Sequence, residues 1–441
     1  MSSVTKSSSL VRCLSVTDLT LMGIGAIVGA GLFVLTGIAA ATKAGPGVIL
    51  SYLMAGLACS FSALAYAELA ASIGGCGSAY GYARLSMGKW MGWIVGWDLL
   101  LEYGMNVSTV AIGWAGYLQS ALTAVGLPLP HRLTVNPFHG GIINLPAVLI
   151  ILLMALVLTQ GIKSGARFNN LIVAVKLSVI GLFIWFGVHH LQPENWHPFL
   201  PFGIHGAIQG AGLVFFAFIG FDAVATAAEE TKNPQRDLPL GILFSLAICT
   251  LLYVIVAGVL TGIQHYTTLN TPSSVADALL GTGHPVAGQI ISIGAIAGLT
   301  TTILVMFYGM TRIYLAMARD GILPQAFLKI DPRSHSPNQL IWFTGIIMAA
   351  FAGFCPIESV ASIVNIATLA AFAIVSGCVI LLRYTRPKMS RPFKTPFSPL
   401  VPLAGIGSCV YLMLSLPKVA WVGLALWSLG GVVFFYWHDS R

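Results

Sequence analysis

Charged side chains inside long apolar stretches are the residues of this sequence best placed to do chemistry. Lys176, Asp222 and Glu102 each lie deep in such a stretch. Ionisable groups are costly within a membrane and usually mark a substrate, ion or proton pathway. Lys176 follows Arg167 by nine residues, or about 14 Å of helix, which places it near the middle of a bilayer. A lysine at that depth can release a proton, so we predict that Lys176 couples transport to protons. The alternative is a static lysine bound by backbone carbonyls at a helix break.

Two buried acids have less specific interpretations. Asp222 lies ten residues before Lys232, so it is also deep, and it either contacts a substrate or fixes a broken helix through a structural hydrogen bond. Asp98 and Glu102 are four residues apart and therefore share one helix face. Glu102 either lines a binding pocket or holds a water molecule, whereas Asp98 and Glu68 are expected to be structural.

The first apolar stretch is unusually rich in glycine, with four glycines in the nine residues 23–31. Each costs about 1 kcal/mol relative to alanine inside a helix. The spacing of Gly25 and Gly29 is also typical of close helix packing. The other interpretation is an unwound segment at Gly29, Ala30 and Gly31, whose exposed N–H groups would bind a carboxylate.

The composition indicates a membrane protein, because 57% of the 441 residues are hydrophobic and only 8% are charged. A soluble domain carries about 25% charged residues. A membrane span needs about 20 apolar residues, and the sequence predicts twelve spans. They lie near 17–41, 47–74, 89–122, 141–160, 166–189, 205–230, 237–262, 285–318, 338–354, 357–382, 400–417 and 419–437.

Lysine and arginine are distributed very unequally between the predicted loops. With the N-terminus inside, 18 of the 22 fall on the inner side and three (Lys43, Arg132 and Lys418) on the outer side. The positive-inside rule therefore predicts cytoplasmic termini. It also accounts for the net charge of +8 without a nucleic-acid partner.

A second break is predicted at Gly220, which lies in the sixth span close to Asp222. Interrupted spans in corresponding positions of two halves indicate a transporter built from inverted repeats. The single transmembrane domain, 1–441, would then contain a first repeat over 17–189, a second over 205–382, and two additional helices over 400–437.

Other classes of chemistry find little support. The seven cysteines form no C-x-x-C pair, and most of the ten histidines fall in predicted outer loops without a repeated i, i+4 pattern. No nucleophile–histidine–acid set occurs at membrane depth. We therefore expect no enzyme activity, no metal site and no cofactor. The expected driving force for transport is a proton gradient.

Seven stretches together resemble the amino acid–polyamine–organocation superfamily, and within it the bacterial relatives of the cationic amino acid transporters. The match is dense over the first eight spans and rests mainly on spacing over the last four. The stretches are GIGAIVGAGLFVLTG from Gly23, AGPGVILSYLMAGL from Ala44, YAELAASIGGCGSAYGYAR from Tyr66, GWDLLLEYG from Gly96, RFNNLIVAVKL from Arg167, FFAFIGFDAVATAAEETKNPQRDLPLGI from Phe215 and TRIYLAMARDGILP from Thr311.

The resemblance implies an all-α, LeuT-like fold of five plus five inverted-repeat helices with two further helices. It implies that the amides of Gly29, Ala30 and Gly31, beside Ile27, bind the carboxylate of an L-amino acid. The freed carbonyls of Phe216, Ala217 and Ile219 would meet the amino group, and the Phe216 ring would cover the substrate.

The resemblance also implies a role for Lys176, which matches the family lysine that occupies the cation position of sodium-coupled relatives. The backbone of Ala26 or Ile27 and the side chain of Thr301 are its expected neighbours. Asp222 and Glu102 match acids that these relatives also carry.

Met306 is expected to face the pocket for the substrate side chain, where it would favour small or medium neutral amino acids; ordinary packing is the alternative.

The expected function is proton-coupled import of amino acids by alternating access across a bacterial inner membrane. An exchanger or uniporter on the same fold is the alternative, and an amino acid sensor is a more distant one because sensors usually add a large cytoplasmic extension. Besides substrate and lipid, a monomer or weak oligomer is expected, and an accessory membrane subunit is left open.

Overall fold

The computed structural model describes residues 14–73, 78–160, 166–283, 285–321, 323 and 337–439. The regular secondary structure of these residues is helical, apart from one isolated bridge between Leu14 and Thr231, and turns and loops connect the helices. Their length and composition make the chain an all-helical integral membrane protein. Seven helical runs are long and apolar enough to cross a membrane: Gly31–Ile73, Asn170–Val188, Gly203–Ala225, Pro234–Ile263, Val286–Leu315, Ile357–Thr385 and Lys418–Tyr436.

The α-helices of the described residues are numbered here in chain order. They are α1 Val16–Ile27, α2 Thr36–Ala39, α3 Val48–Ile73, α4 Ala79–Met87, α5 Lys89–Ala124, α6 Leu145–Thr159, α7 Ala166–Val188, α8 Gly203–Val214, α9 Pro234–Ile263, α10 Ser274–Gly281, α11 Pro285–Arg319, α12 Asn338–Phe354, α13 Ile357–Thr385, α14 Leu400–Ser415 and α15 Lys418–Asp439.

Each of the twelve predicted spans overlaps at least one of these helices, whereas α4 and α10 are short helices that the sequence did not predict. Helix α5 is 36 residues long but is not among the seven long apolar runs. Its buried face carries glycines, hydroxyls and acids between its apolar residues, which lowers its mean hydropathy. Helix α5 packs along α11 and α13, and α3 packs along α9, so these helices form the centre of the fold.

The first predicted span is broken close to its middle. Helix α1 ends at Ile27, Val28 is extended at φ −74° and ψ 106°, and helical backbone resumes at Ala30. The stretch Gly31–Leu35 is then a π-helix, whose wider turns lead into α2. The break therefore lies within the glycine-rich segment, but it comprises Val28 and Gly29, whereas Ala30 and Gly31, which the sequence also predicts to be unwound, are helical.

The sixth predicted span is broken in a similar way. Helix α8 is followed by the 3-10 segment Phe215–Phe218, then by extended Ile219 and by Gly220 at φ 120°. A side chain at this φ is strained, and a Cβ on Gly220 would lie 2.9 Å from the carbonyl of Ala26. Glycine is needed at position 220 because of this φ and because of this close contact. The chain continues after it as the 3-10 segment Phe221–Glu230.

Glu68, on α3, connects an early helix to residues close to the end of α13. Arg383 of α13 donates to it from Nε at 3.0 Å and from Nη2 at 2.6 Å. The backbone N–H of Thr395 donates to the same carboxylate at 2.7 Å. The carboxylate is buried but fully paired, which agrees with the structural role expected for Glu68.

Helix α15 is attached to α5 by indole groups. The Nε1–H of Trp97 donates to the carbonyl of Trp427 at 2.8 Å, and the Nε1–H of Trp427 donates to the carbonyl of Trp97 at 2.9 Å. The two rings are stacked with centroids 4.6 Å apart. Trp93 adds a third bond, to the carbonyl of Gly431 at 3.0 Å.

Candidate functional site

The two helix breaks lie directly against each other. A Cβ on Gly31 would lie 2.2 Å from the Cα of Ala217, so only glycine permits this approach of the two backbones. The hydroxyl oxygen of Tyr253, on α9, lies 3.0 Å from the carbonyl oxygen of Ile27 and 2.8 Å from that of Ala217. One hydroxyl group therefore bridges the end of α1 and the break after α8.

Lys176 is buried and bound at the first break. Its ammonium group donates to the carbonyls of Gly25 and Val28, both at 2.9 Å, and to the hydroxyl of Thr302 at 2.9 Å. Both carbonyls are at the end of α1, where the intrahelical pattern of hydrogen bonds stops. The three donors of the ammonium thus match three oxygens from α1 and α11.

The immediate neighbours of Lys176 differ from those that the family resemblance implied. The carbonyls are those of Gly25 and Val28 rather than Ala26 or Ile27, because Ile27 bonds to Tyr253. The hydroxyl is that of Thr302, while Thr301 donates to the carbonyl of Gly298 at 2.8 Å. Successive residues of a helix are about 100° apart, so the consecutive threonines 300–302 cannot share one face.

The backbone groups at the first break fit a carboxylate. The N–H groups of Gly29, Ala30 and Gly31 are the first of the half-helix after the break, and the residues that the structure describes supply no acceptor for them. The carbonyl of Gly29 accepts from the N–H groups of Leu32 and Phe33, both at 3.2 Å, which starts the new half-helix. Free N–H groups at a helix start form a favourable anion site.

The carbonyls at the second break are partly occupied. Phe216 accepts from the N–H of Ile219 at 3.3 Å, and Ala217 accepts from the hydroxyl of Tyr253. A carbonyl oxygen has two lone pairs and can accept one more hydrogen bond. Contact of these carbonyls with a substrate amino group therefore stays a prediction.

The remaining predicted residues are buried around the breaks. Phe216 is 4% exposed and Met306 is 5% exposed. Met306 follows Thr302 by one helical turn and so lies on the face of α11 that meets Lys176. Glu102 is 1% exposed, and one of its carboxylate oxygens has no hydrogen-bond partner. The carboxylate of Asp222 accepts hydrogen bonds from backbone N–H groups of its own turn, including that of Ala223.

Three polar residues that bind the exposed carbonyls were not singled out from the sequence. Besides Tyr253, the hydroxyl of Tyr52 donates to the carbonyl of Gly31 at 3.0 Å. The amide of Asn365 donates to the carbonyls of Gly212 at 2.8 Å and Leu213 at 3.0 Å, near the end of α8. An isolated tyrosine or asparagine in an otherwise apolar span is the signal that could have identified them.

A cavity of about 560 Å³ lies apart from these residues, between the end of α5, α10 and the start of α11. It lies on the predicted outer side, and its wall combines polar side chains with a larger apolar surface. Asp277 in its wall accepts from the hydroxyls of Ser120 at 2.9 Å and Ser273 at 2.7 Å. None of the predicted site residues lines this cavity.

Comparison with known proteins gives consistent matches over the whole chain. The family model described as amino acid permease matches residues 14–436. The chain is 46% identical to the methylthioribose transporter of Bacillus subtilis, over 100% of this chain and 96% of that protein. It is 44% identical to the branched-chain amino acid permease BcaP of the same organism, over 98% of this chain and 94% of that protein.

A more distant relative is the vacuolar cationic amino acid transporter 4 of Arabidopsis thaliana. It is 36% identical over 86% of this chain and 64% of that protein. The relatives are named as transporters, so this multi-pass membrane protein is a transporter and not an enzyme. The chain belongs to the amino acid permease family, within the amino acid–polyamine–organocation superfamily.

Proposed function

We propose that this permease imports amino acids together with protons by alternating access, across a bacterial plasma membrane. The observation that carries the proposal is the position of Lys176, whose ammonium group binds the broken end of α1 and Thr302 of α11. A titratable group in this position responds to proton binding and holds the segment that would carry the substrate.

The number of donors on Lys176 links its protonation to the first break. The ammonium form has three N–H donors for its three oxygen partners, whereas a neutral amine has only two. Loss of the proton therefore leaves one of Gly25, Val28 and Thr302 without its bond from Lys176. We propose that this change loosens α1 from α7 and α11 and favours release of the substrate.

The free N–H groups of Gly29, Ala30 and Gly31 support an α-amino acid as substrate, because they suit a carboxylate. The carbonyls of Phe216 and Ala217 are proposed to bind the amino group. Met306 is proposed to shorten the side-chain pocket, which favours small and medium neutral amino acids. Branched-chain substrates, named for two relatives, fit this class.

Methylthioribose is a second candidate substrate, because the methylthioribose transporter is 46% identical over the full chain. This thioether sugar lacks both the carboxylate and the amino group for which the two breaks offer partners. Competition of unlabelled methylthioribose with labelled leucine separates the two candidates. Uptake of labelled methylthioribose without uptake of labelled leucine would favour the second candidate, whereas leucine uptake that methylthioribose does not inhibit would favour the first.

The proposed architecture is the twelve-span, LeuT-like fold with cytoplasmic termini. It divides into repeats over 17–189 and 205–382, followed by two helices over 400–437. The support is the position of the two breaks, each in the first span of its repeat. The orientation is tested with Lys43→Cys and Lys388→Cys, each treated with a thiol reagent that is added to one side of the membrane at a time.

The test of coupling is uptake into liposomes that contain the purified permease, with and without an inward proton gradient. We expect the gradient to stimulate uptake by the wild type, and Lys176→Met to remove that stimulation. Lys43→Met, which changes an exposed lysine in the predicted outer loop, is the matched control. Equal uptake by the wild type with and without the proton gradient would indicate an exchanger or uniporter.

A further inference from the structure

One face of α5 carries three buried polar side chains at successive turns. Asp98, Glu102 and Asn106 are spaced by four residues and are 4%, 1% and 3% exposed. Each has a side-chain oxygen without a hydrogen-bond partner among the described residues. Buried polar atoms are normally paired, and an unpaired one requires a specific explanation, such as an internal water or a bound proton.

Two tyrosine hydroxyls on neighbouring helices share this property. Tyr66 of α3 and Tyr82 of α4 are each 1% exposed, and neither hydroxyl has a partner among the described residues. Tyr66 interacts electrostatically with both Glu102 and Asp222, and Tyr82 interacts with Asp222. The rings of Tyr66 and Tyr82 are in contact, with centroids 5.9 Å apart, so the two unpaired hydroxyls lie in the same buried region as Asp222, and Glu102 is within electrostatic range of Tyr66.

The charges around Glu102 are all of one sign. Asp98 faces it from its own helix and Asp222 from the segment after the second break. The other titratable groups in range are Tyr66 and Tyr103, and the hydroxyl of Thr368 hydrogen-bonds to Glu102. In the described part of the chain, none of the ion pairs involves Asp98, Glu102 or Asp222. Buried ionised carboxylates that interact without a cation between them repel each other.

The two carboxyl groups differ in their hydrogen bonds. Asp222 accepts from several backbone N–H groups of its own turn, and such donors favour the ionised form. Glu102 contacts only the hydroxyl of Thr368, whose proton is donated to the carbonyl of Val364 at 3.0 Å, and one of its oxygens has no partner among the described residues. If one proton is shared between the two residues, Glu102 is the better place for it.

We propose that Glu102 is a second proton-carrying residue, neutral while Asp222 stays ionised, in a hydrated site separate from Lys176. Water bound to the hydroxyls of Tyr66 and Tyr82 fills the site. Asp98 lies one turn nearer the start of α5, on the side predicted to be cytoplasmic, and takes the proton from Glu102 through water. No bond other than O–H is formed or broken in this exchange.

This site extends the proposed transport function, but its existence can be tested without transport. The test is infrared difference spectroscopy of the reconstituted permease, which detects the C=O stretch of a protonated carboxyl group and its shift in heavy water. We expect such a band at neutral pH in the wild type, and its loss in Glu102→Gln. Glu194→Gln, which changes an exposed carboxylate, should retain the band.

The Asp222→Asn variant sharpens the assignment. Removing the neighbouring negative charge should make Glu102 ionise more easily, so that its band disappears at a lower pH than in the wild type. Loss of the neutral-pH band in Asp222→Asn together with its retention in Glu102→Gln would place the proton on Asp222 and overturn the proposal. A folded wild-type protein without the band would also overturn it.

Uptake measurements separate this proposal from the proposed function. If the wild type shows no gradient-driven uptake, proton coupling fails whatever the infrared result. If Glu102→Gln loses the infrared band but Lys176→Met alone loses gradient stimulation, the second site exists and has no part in coupling. Monodisperse elution and an unchanged melting temperature of Glu102→Gln confirm that the variant is folded.

Discussion

The ammonium nitrogen of Lys176 lies 2.9 Å from the hydroxyl oxygen of Thr302, on a different helix. The same hydroxyl donates to the carbonyl of Gly298 at 3.1 Å, so it accepts from the lysine and donates within its own helix. This arrangement orients the hydroxyl lone pair toward Lys176. It also makes Thr302 sensitive to whether the lysine carries its proton.

Thr302→Val should weaken gradient-driven uptake by about tenfold or more. The change keeps the shape of the side chain, but it removes a hydrogen bond to a charged group, which contributes about 1.5–3 kcal/mol. Thr301→Val is the matched control, since its hydroxyl bonds only within α11. Equal losses in both variants would show that the contact with Lys176 is unimportant.

Gly298→Ala should also impair proton coupling. A Cβ at this position would lie 3.1 Å from Cγ and 3.2 Å from Cε of Lys176, so the lysine stem must shift. Gly181→Ala, on the helix that carries Lys176, is the control because it adds a methyl group in open space. In Gly298→Ala, uptake with a proton gradient should fall to the level measured without a gradient. In Gly181→Ala, stimulation by the gradient should be the same as in the wild type.

Gly220→Ala should destabilise the protein by about 1–3 kcal/mol or more, because it combines a strained φ of 120° with a clash against Ala26. Gly126→Ala separates the two effects, since Gly126 has φ 80° but open space around it. Thermal unfolding in detergent measures both. A smaller loss for Gly220 than for Gly126 would contradict this explanation.

Tyr253→Phe should lower both stability and uptake, because it removes the hydroxyl that bridges Ile27 and Ala217. The two buried carbonyls share the single proton of this hydroxyl, and losing it costs about 1–3 kcal/mol. Tyr411→Phe, at an exposed position of α14, should change neither. Wild-type melting temperature and uptake in Tyr253→Phe would show that the bridge is dispensable.

Met306→Ser should broaden the range of substrates toward larger or basic amino acids. The smaller side chain leaves more space on the face of α11 that carries Thr302. Competition of arginine and phenylalanine with labelled leucine measures the change, and Met413→Ser in α14 is a control outside the predicted site. No gain in either larger substrate would count against a role for Met306 in the pocket.

The elements themselves were largely predictable from the sequence, because long apolar stretches leave few alternatives to helices. The glycines also located both breaks to within about two residues, since the first lies at Val28 and Gly29 and the second at Ile219 and Gly220. The neighbours of Lys176 were not predictable, because a rotation of 100° decides between Thr301 and Thr302, and only packing between helices sets that rotation. Tyr253 was missed for the same reason, since its bonding partners lie 226 and 36 residues away in sequence.

The clamp on Glu68 has a consequence for how the chain is made. Glu68 is separated by 315 residues from Arg383 and by 327 residues from the N–H of Thr395. During synthesis, its carboxylate enters the membrane region long before either partner exists. A buried carboxylate without partners is costly, so α3 is not fully stabilised until nearly the whole chain has emerged from the ribosome. Final packing of the first helices is thereby postponed until the last ones arrive, which links the maturation of the permease to completion of its synthesis.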